Sequence, residues 1–281
     1  MRFLVVESET SSERESRRQS AGKSAGESFA ATLRQLDPVC QAVLLEPADP
    51  DADLFSTADI GTFDAVFLSG SPLHVYELSP EVERQLDFVR SVFASGTPSF
   101  GSCAGLQLAA AAAGGRVGPI EGPREAGLAR RITAERNASG HPLLAGRGPV
   151  WDAAAIHGDE VLELPPGSRP LASNARVRIQ AAEIRYGRGV FWGVQYHPEL
   201  SPGEVGAALR RSSDELVRDG IGSAEDVETQ AELFDRLEAS PDELSAWWRL
   251  GVDAEYAKEG QRRRELRNFL DNLPFLRSLT A

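Results

Sequence analysis

Cysteine is nearly absent from this chain: Cys40 and Cys103 are the only two in 281 residues. Two thiols so far apart in sequence exclude a disulfide-stapled scaffold and suit a reducing compartment. Neither has a second cysteine or a histidine at zinc-like spacing, so no metal site is expected. Lysine is equally scarce, with Lys23 and Lys258 alone among 30 basic residues and arginine making up the rest. Beside the abundant alanine, this points to genome composition rather than function. Positive charge is in deficit overall, and the net charge of −12 repels phosphates, which disfavours non-specific nucleic-acid binding. No apolar run approaches the roughly 18 residues of a membrane span. The opening "RFLVVE" is too short for a signal peptide and meets acids at once. It reads as a first strand, and the expected compartment is the cytoplasm.

What is present is an alternation of short apolar strands with helical segments, the pattern of an α/β sheet covered by helices. Strands are expected at 2–7, 40–46 and 63–70, and again at 97–102. Helices are expected at 26–36 and 79–96, the latter with Ser79 as cap, Pro80 at its first position and Gly96 as stop. From 116 to 195 the texture turns to short β segments, with a hairpin turn at Tyr186–Gly189. The polar stretch 8–25, "SETSSERESRRQSAGKSA", reads as a mobile surface loop or lid.

One stretch asks for a chemical explanation. In "TPSFGSCAGLQL", Cys103 sits between Gly101 and Gly105, where a strand turns into an alanine-rich helix. A nucleophile at the apex of such a turn needs an awkward backbone and small neighbours on either side. The helix N-terminus there favours thiolate over thiol. A buried structural cysteine flanked by glycines is the competing reading of this segment alone. A thiolate that attacks a carbonyl also needs a base and a group to orient it. "GVQYHPEL" supplies both: in an extended segment His197 and Glu199 project to one side, and Pro198 keeps His197 out of helical geometry. Glu199 can then accept from the imidazole and set its tautomer.

Together "GSCAGLQL" and "GVQYHPE" resemble the two signatures of the class I, triad-type glutamine amidotransferases, closest to the stand-alone GMP-synthase-like members. "LSGSP" (68–72) resembles that family's oxyanion loop, and "IHGDEVLELPPGSRPLASN" (156–174) its Ser-His-Gly-Asp segment. The likeness runs from residue 2 to about residue 205. It implies an open, mostly parallel, flavodoxin-like sheet flanked by helices with a nucleophile-elbow cysteine. It also implies a role for each matching position. Cys103 would be the nucleophile, His197 the general base and acid, and Glu199 the residue that orients His197. The backbone N–H groups of Ser71 and Ala104 would hold the oxyanion. Gly70, Gln107, His157, Gly158 and Asp159 would form the substrate pocket. The substrate implied is glutamine or another γ-glutamyl amide, with no cofactor and no metal. In two places the chain departs from the family pattern: Ser71 stands where a second glycine is usual, and Ile156 where a serine precedes His-Gly-Asp.

Other signals lead elsewhere. "SAGKSAG" lacks the first glycine of a phosphate loop, Arg17 standing in its place. His141 reads as a loop or packing histidine, His74 as a neighbour of the oxyanion loop, and Cys40 as packed inside. The chain divides into an amidotransferase domain at 1–222 and a C-terminal helical extension at 223–281. Helices are expected at 201–220, 223–239, 240–251 and 259–273. Leu244, Trp247, Trp248 and Leu250 form one apolar stripe, and Leu266, Phe269 and Leu270 another. The tail is too short for an ATP-using synthetase domain and carries no pyrophosphatase loop, so the ammonia acceptor of an amidotransferase would be a separate subunit. Self-association through the C-terminal helices is the other protein contact this reading allows. Three functions compete: a glutaminase feeding a synthetase, a free-standing hydrolase of γ-glutamyl amides, and a non-catalytic binding module.

Overall fold

The computed structural model describes residues 1–138 and 140–280. Its first half runs β1 (Arg2–Val6), α1 (Ser11–Ala21), α2 (Ala25–Leu36), β2 (Gln41–Leu45), α3 (Thr57–Ile60) and β3 (Ala65–Leu68). There follow α4 (Pro80–Ser95), β4 (Ser99–Ser102) and α5 (Ala104–Ala112). A β-rich stretch comes next: β5 (Arg116–Pro119), β6 (Glu125–Ala134), β7 (Trp151–His157) and β8 (Asp159–Glu163), then β9 (Arg169–Ser173), β10 (Ala181–Tyr186) and β11 (Gly189–Val194).

Among the described residues nine of these strands form one sheet, in the order β2-β1-β3-β4-β11-β10-β9-β6-β7. The five from β2 to β11 are mutually parallel, and antiparallel strands complete the far side. β5 and β8 pair separately. The hairpin turn joins β10 to β11 with Tyr186 opposite Gly189. Central parallel strands are covered on both faces, and β1 and β3 accordingly run apolar through Phe3–Val6 and Ala65–Leu68, whereas β4 reads Ser-Phe-Gly-Ser. Phe3 and Val5 enter one core cluster while Leu4 and Val6 enter another, as side chains on opposite faces must.

Residues 8–25 are not a loop. Thr10 and Glu13 cap α1 reciprocally, and Ser24 and Glu27 do the same for α2, with Gly22 ending α1 in the left-handed region at φ 76°. Glu7 and Glu9 hold this segment down by accepting from the Gly26 and Ala25 amides at 2.7 and 3.0 Å. Two capping boxes and two buried carboxylates outweigh the polar composition that suggested mobility. Cys40 sits just ahead of β2, half-buried, with burial pushing its thiol up.

The helical tail consists of α6 (Pro202–Arg211), α7 (Ser213–Arg218), α8 (Ala224–Ala239), α9 (Leu244–Leu250), α10 (Ala254–Ala257), α11 (Glu259–Arg262), α12 (Arg264–Asp271) and α13 (Leu273–Ser278). The single helices expected at 201–220 and 259–273 are therefore broken into shorter pieces. Leu266, Phe269, Leu270, Leu273 and Leu276 share the core cluster of Phe3, Phe67 and Phe100. Phe269 lies 5.4 Å from Phe67 and 5.5 Å from Phe100 between ring centroids. The second stripe is thus sheet core. The first is divided, with Leu250 buried and Trp247 partly so, while Leu244 and Trp248 stay exposed.

Candidate active site

Strand β4 ends at Ser102 and α5 begins at Ala104, so Cys103 alone makes the turn. Its backbone has φ 53° and ψ −114°, a conformation a side chain rarely adopts. Its N–H donates to Val194 O at 2.9 Å, and its carbonyl accepts from Gln107 N at 3.1 Å. The flanking glycines are required by space. A Cβ on Gly105 would lie 2.5 Å from Leu68 O, and one on Gly101 2.9 Å from the Gly105 carbonyl carbon. The chain can bend this tightly against β3 only with hydrogen at both positions.

β11 carries the partner groups past its end. His197 is held by its backbone N–H to Ala154 O at 2.8 Å, and its Nδ1 lies 2.7 Å from Glu199 Oε1. Glu199 is fixed in turn: Ser102 Oγ donates to the same Oε1 at 2.8 Å, and Thr32 Oγ1 donates to its backbone carbonyl at 3.0 Å. All three principal groups are buried, with Cys103 and His197 6 % exposed and Glu199 3 %. Burial alone would push the imidazole down. The Glu199 and Cys103 charges and a hydrogen bond to each outweigh it and raise His197 to about 10. Gly70 closes the site from the β3 side: a Cβ there would fall 2.8 Å from His197 Cε1 and 3.7 Å from Cys103 Cβ. A thiol, an imidazole and a carboxylate thus stand in series at a helix N-terminus, the order needed for nucleophilic attack on a carbonyl.

The other expected site residues divide. The N–H groups of Ser71 and Ala104 donate to no acceptor among the described residues, which leaves them free for an anion. Ser71 Oγ accepts from Leu73 N at 3.1 Å and shapes its own loop. Gln107 is buried, and its amide nitrogen donates to Asp159 O at 3.1 Å and to Gln195 Oε1 at 3.2 Å. The first of these ties α5 to the start of β8. The His157 ring turns away into a buried network, its Nε2 3.0 Å from Glu125 Oε2 and its Nδ1 2.9 Å from Asp159 O. Only the backbone of this segment is left to meet a ligand, and Gly158 O already accepts from Ile120 N at 2.8 Å. His74 pairs with Asp159 at 2.6 Å, with Tyr76 OH 3.3 Å from the same carboxylate. The loop after β3 is thereby latched to the start of β8. His141 packs at 4.8 Å from Trp192 with Nε2 3.3 Å from Glu183, as a core histidine does.

Sequence reading missed Ser102 and Thr32. A serine on the same side of β4 as the buried Phe100, next to the nucleophile position, was the available signal for Ser102. Two open clefts of about 720 and 840 Å³ lie elsewhere and contain none of Cys103, His197 and Glu199. Side-chain chemistry, not cleft size, locates the site.

The fold is a mostly parallel α/β sheet, and its strand ends bring a buried thiol, imidazole and carboxylate together. The family model of glutamine amidotransferase class-I matches residues 20–213, and the chain belongs to that family. It is 37 % identical over 223 residues to a gamma-glutamyl-L-1-hydroxyisopropylamide hydrolase from a Pseudomonas species, covering 78 % of this chain and 75 % of the relative. It is 31 % identical over 160 residues to a glutamine-hydrolyzing GMP synthase subunit from Ignicoccus hospitalis, covering 57 % of this chain and 79 % of that one. Among solved structures, a glutamine amidotransferase from Thermotoga maritima shares the fold at TM-score 0.66 and 16 % identity, covering 97 % of each chain. The protein is an enzyme of a family acting on glutamine or γ-glutamyl amides.

Proposed function

We propose that the protein hydrolyses γ-glutamyl amides to glutamate and a free amine, through a glutamyl thioester on Cys103. The observation that carries this reading is the strained Cys103 turn facing the buried His197–Glu199 pair. Cys103 Sγ attacks the γ-carbonyl carbon, and the charge that builds on oxygen meets the N–H groups of Ser71 and Ala104. One such donor contributes ~3 kcal/mol to transition-state stabilisation. His197, with Nδ1–H on Glu199, gives the proton on Nε2 to the leaving nitrogen as the C–N bond breaks. Water then attacks the thioester, His197 takes its proton, and the C–S bond breaks to release glutamate and the thiolate. Gln107 and the backbone of Gly158 and Asp159 receive the amino-acid end.

The likeness to the hydroxyisopropylamide hydrolase, at higher identity and over more of this chain than the likeness to the Ignicoccus synthase subunit, favours a substituted amide over glutamine. The second reading is a glutaminase that hands ammonia to a separate synthetase subunit, favoured by the likeness to the Ignicoccus protein over 79 % of its length. A panel of γ-glutamyl alkylamides beside glutamine, with the released amine and ammonia both measured, separates them. Faster turnover of an alkylamide than of glutamine supports the first reading. Turnover of glutamine alone, rising with an added synthetase, supports the second.

A further inference from the structure

We infer that Ser102 is a positioning residue for the Glu199–His197 pair, an inference that rests on the triad reading above. Its hydroxyl is wholly buried and donates to Glu199 Oε1 at 2.8 Å, the same oxygen that meets His197 Nδ1 at 2.7 Å. The other oxygen, Oε2, is buried with no partner among the described residues. Both side-chain bonds to this carboxylate therefore converge on one oxygen.

The consequence is geometric. A carboxylate held only by the ring it is meant to orient can rotate about its last bond and carry the ring with it. A second donor from a different element removes that freedom. Ser102 comes from β4, which pairs in register with β11 at Ser102–Val194, three residues before His197. The same backbone turn that sets Cys103 thus sets the group that fixes Glu199. Thiol and imidazole are indexed to one rigid strand end, which a side chain from a loop would not achieve. The burial runs both ways: Phe100, on the same face of β4, lies in apolar core, so the Ser102 hydroxyl would be an unsatisfied donor without Glu199.

The ionisable groups that act on His197 are Glu199 and Cys103. Losing the Ser102 bond frees Glu199 to turn, weakens its hold on Nδ1, and lets the imidazole fall back toward its ordinary range. With only four histidines in the chain, each imidazole can be followed by NMR in ¹³C/¹⁵N-histidine-labelled full-length protein, with His197→Asn assigning the signal. In Ser102→Ala the His197 midpoint should drop by about one unit or more, and kcat should fall roughly tenfold with KM unchanged. Ser102→Thr, which keeps the hydroxyl, should retain the wild-type midpoint. A His197 midpoint that stays or rises in Ser102→Ala, or that shifts equally in Ser102→Thr, overturns the assignment. Because the titration needs no substrate, it decides the role of Ser102 even if no γ-glutamyl amide is turned over, an outcome that would count against the proposed function instead.

Discussion

The Tyr196 hydroxyl donates to Glu265 at 2.8 Å, joining the residue next to His197 to helix α12 in the C-terminal extension. Arg147 reaches the same carboxylate with two bonds of 2.7 and 2.6 Å, and both charged side chains are almost fully buried. Burial would push the Arg147 guanidinium down, but Glu265 and its neighbours hold it above its ordinary range. Arg262, a few residues earlier, donates to Leu200 O at 3.2 Å. The extension is therefore tied to both sides of the His-Pro-Glu segment.

Removing one partner of a buried pair leaves the other charge uncompensated, at a typical loss of ~3–5 kcal/mol. Glu265→Gln should lower unfolding stability by that order in urea titrations, and Phe269→Ala by a similar amount through cavity formation. We further expect that deleting 223–281 yields insoluble or unfolded protein, because Phe269 packs between Phe67, Phe100 and Trp192. A soluble truncated protein that melts like the full chain would refute this.

A second prediction concerns acid. Burial would raise the Glu183 carboxyl, but hydrogen bonds from His141, Arg185 and Trp192 outweigh it and hold the group at about 2. The folded value is depressed, so the stabilisation is present above the ordinary 4.5 and lost as pH falls toward 2. The amount is about 3 kcal/mol by linkage. Stability of the wild type should fall through that window, and Glu183→Gln should flatten the slope. An unchanged slope in the variant would place the acid sensitivity elsewhere.

For His197 the sign is opposite. Its folded value near 10 lies above the ordinary 6.5, so its contribution to stability is complete below about 6.5 and lost as pH rises through about 10. The imidazolium also persists as proton donor, so kcat/KM should hold up to about pH 9 and then decline. His197→Asn should abolish nearly all turnover, whereas Glu199→Gln should lose less, since Glu199 orients the ring without exchanging protons with substrate. Equal losses in Glu199→Gln and Cys103→Ala would require a different role for the carboxylate.

Much of this was legible in the sequence, for local reasons. The strand-turn-helix around Cys103 could be read because only glycine fits at Gly101 and Gly105, a constraint imposed by the backbone itself. His197 and Glu199 could be read because two residues of extended chain put them on one side. The segment 8–25 misleads because its polar composition masks a capping pattern, although Thr10 and Glu13 stand three apart as a box requires. The depth of α12 was not legible. An amphipathic stripe reports that a face is buried, not what buries it, and Phe67 and Phe100 come from strands far upstream in the chain. Ser102 could be matched to Glu199 only once β4 and β11 were seen side by side.

The proposed chemistry turns on a glutamyl thioester on Cys103. The most direct measurement is incubation with a γ-electrophilic glutamine analogue, followed by peptide mass mapping of both cysteine-containing peptides. Stoichiometric modification of Cys103 is expected, with none on Cys40 and no labelling in His197→Asn at neutral pH. Modification of Cys40 alone, or full amide turnover by Cys103→Ala, would contradict it.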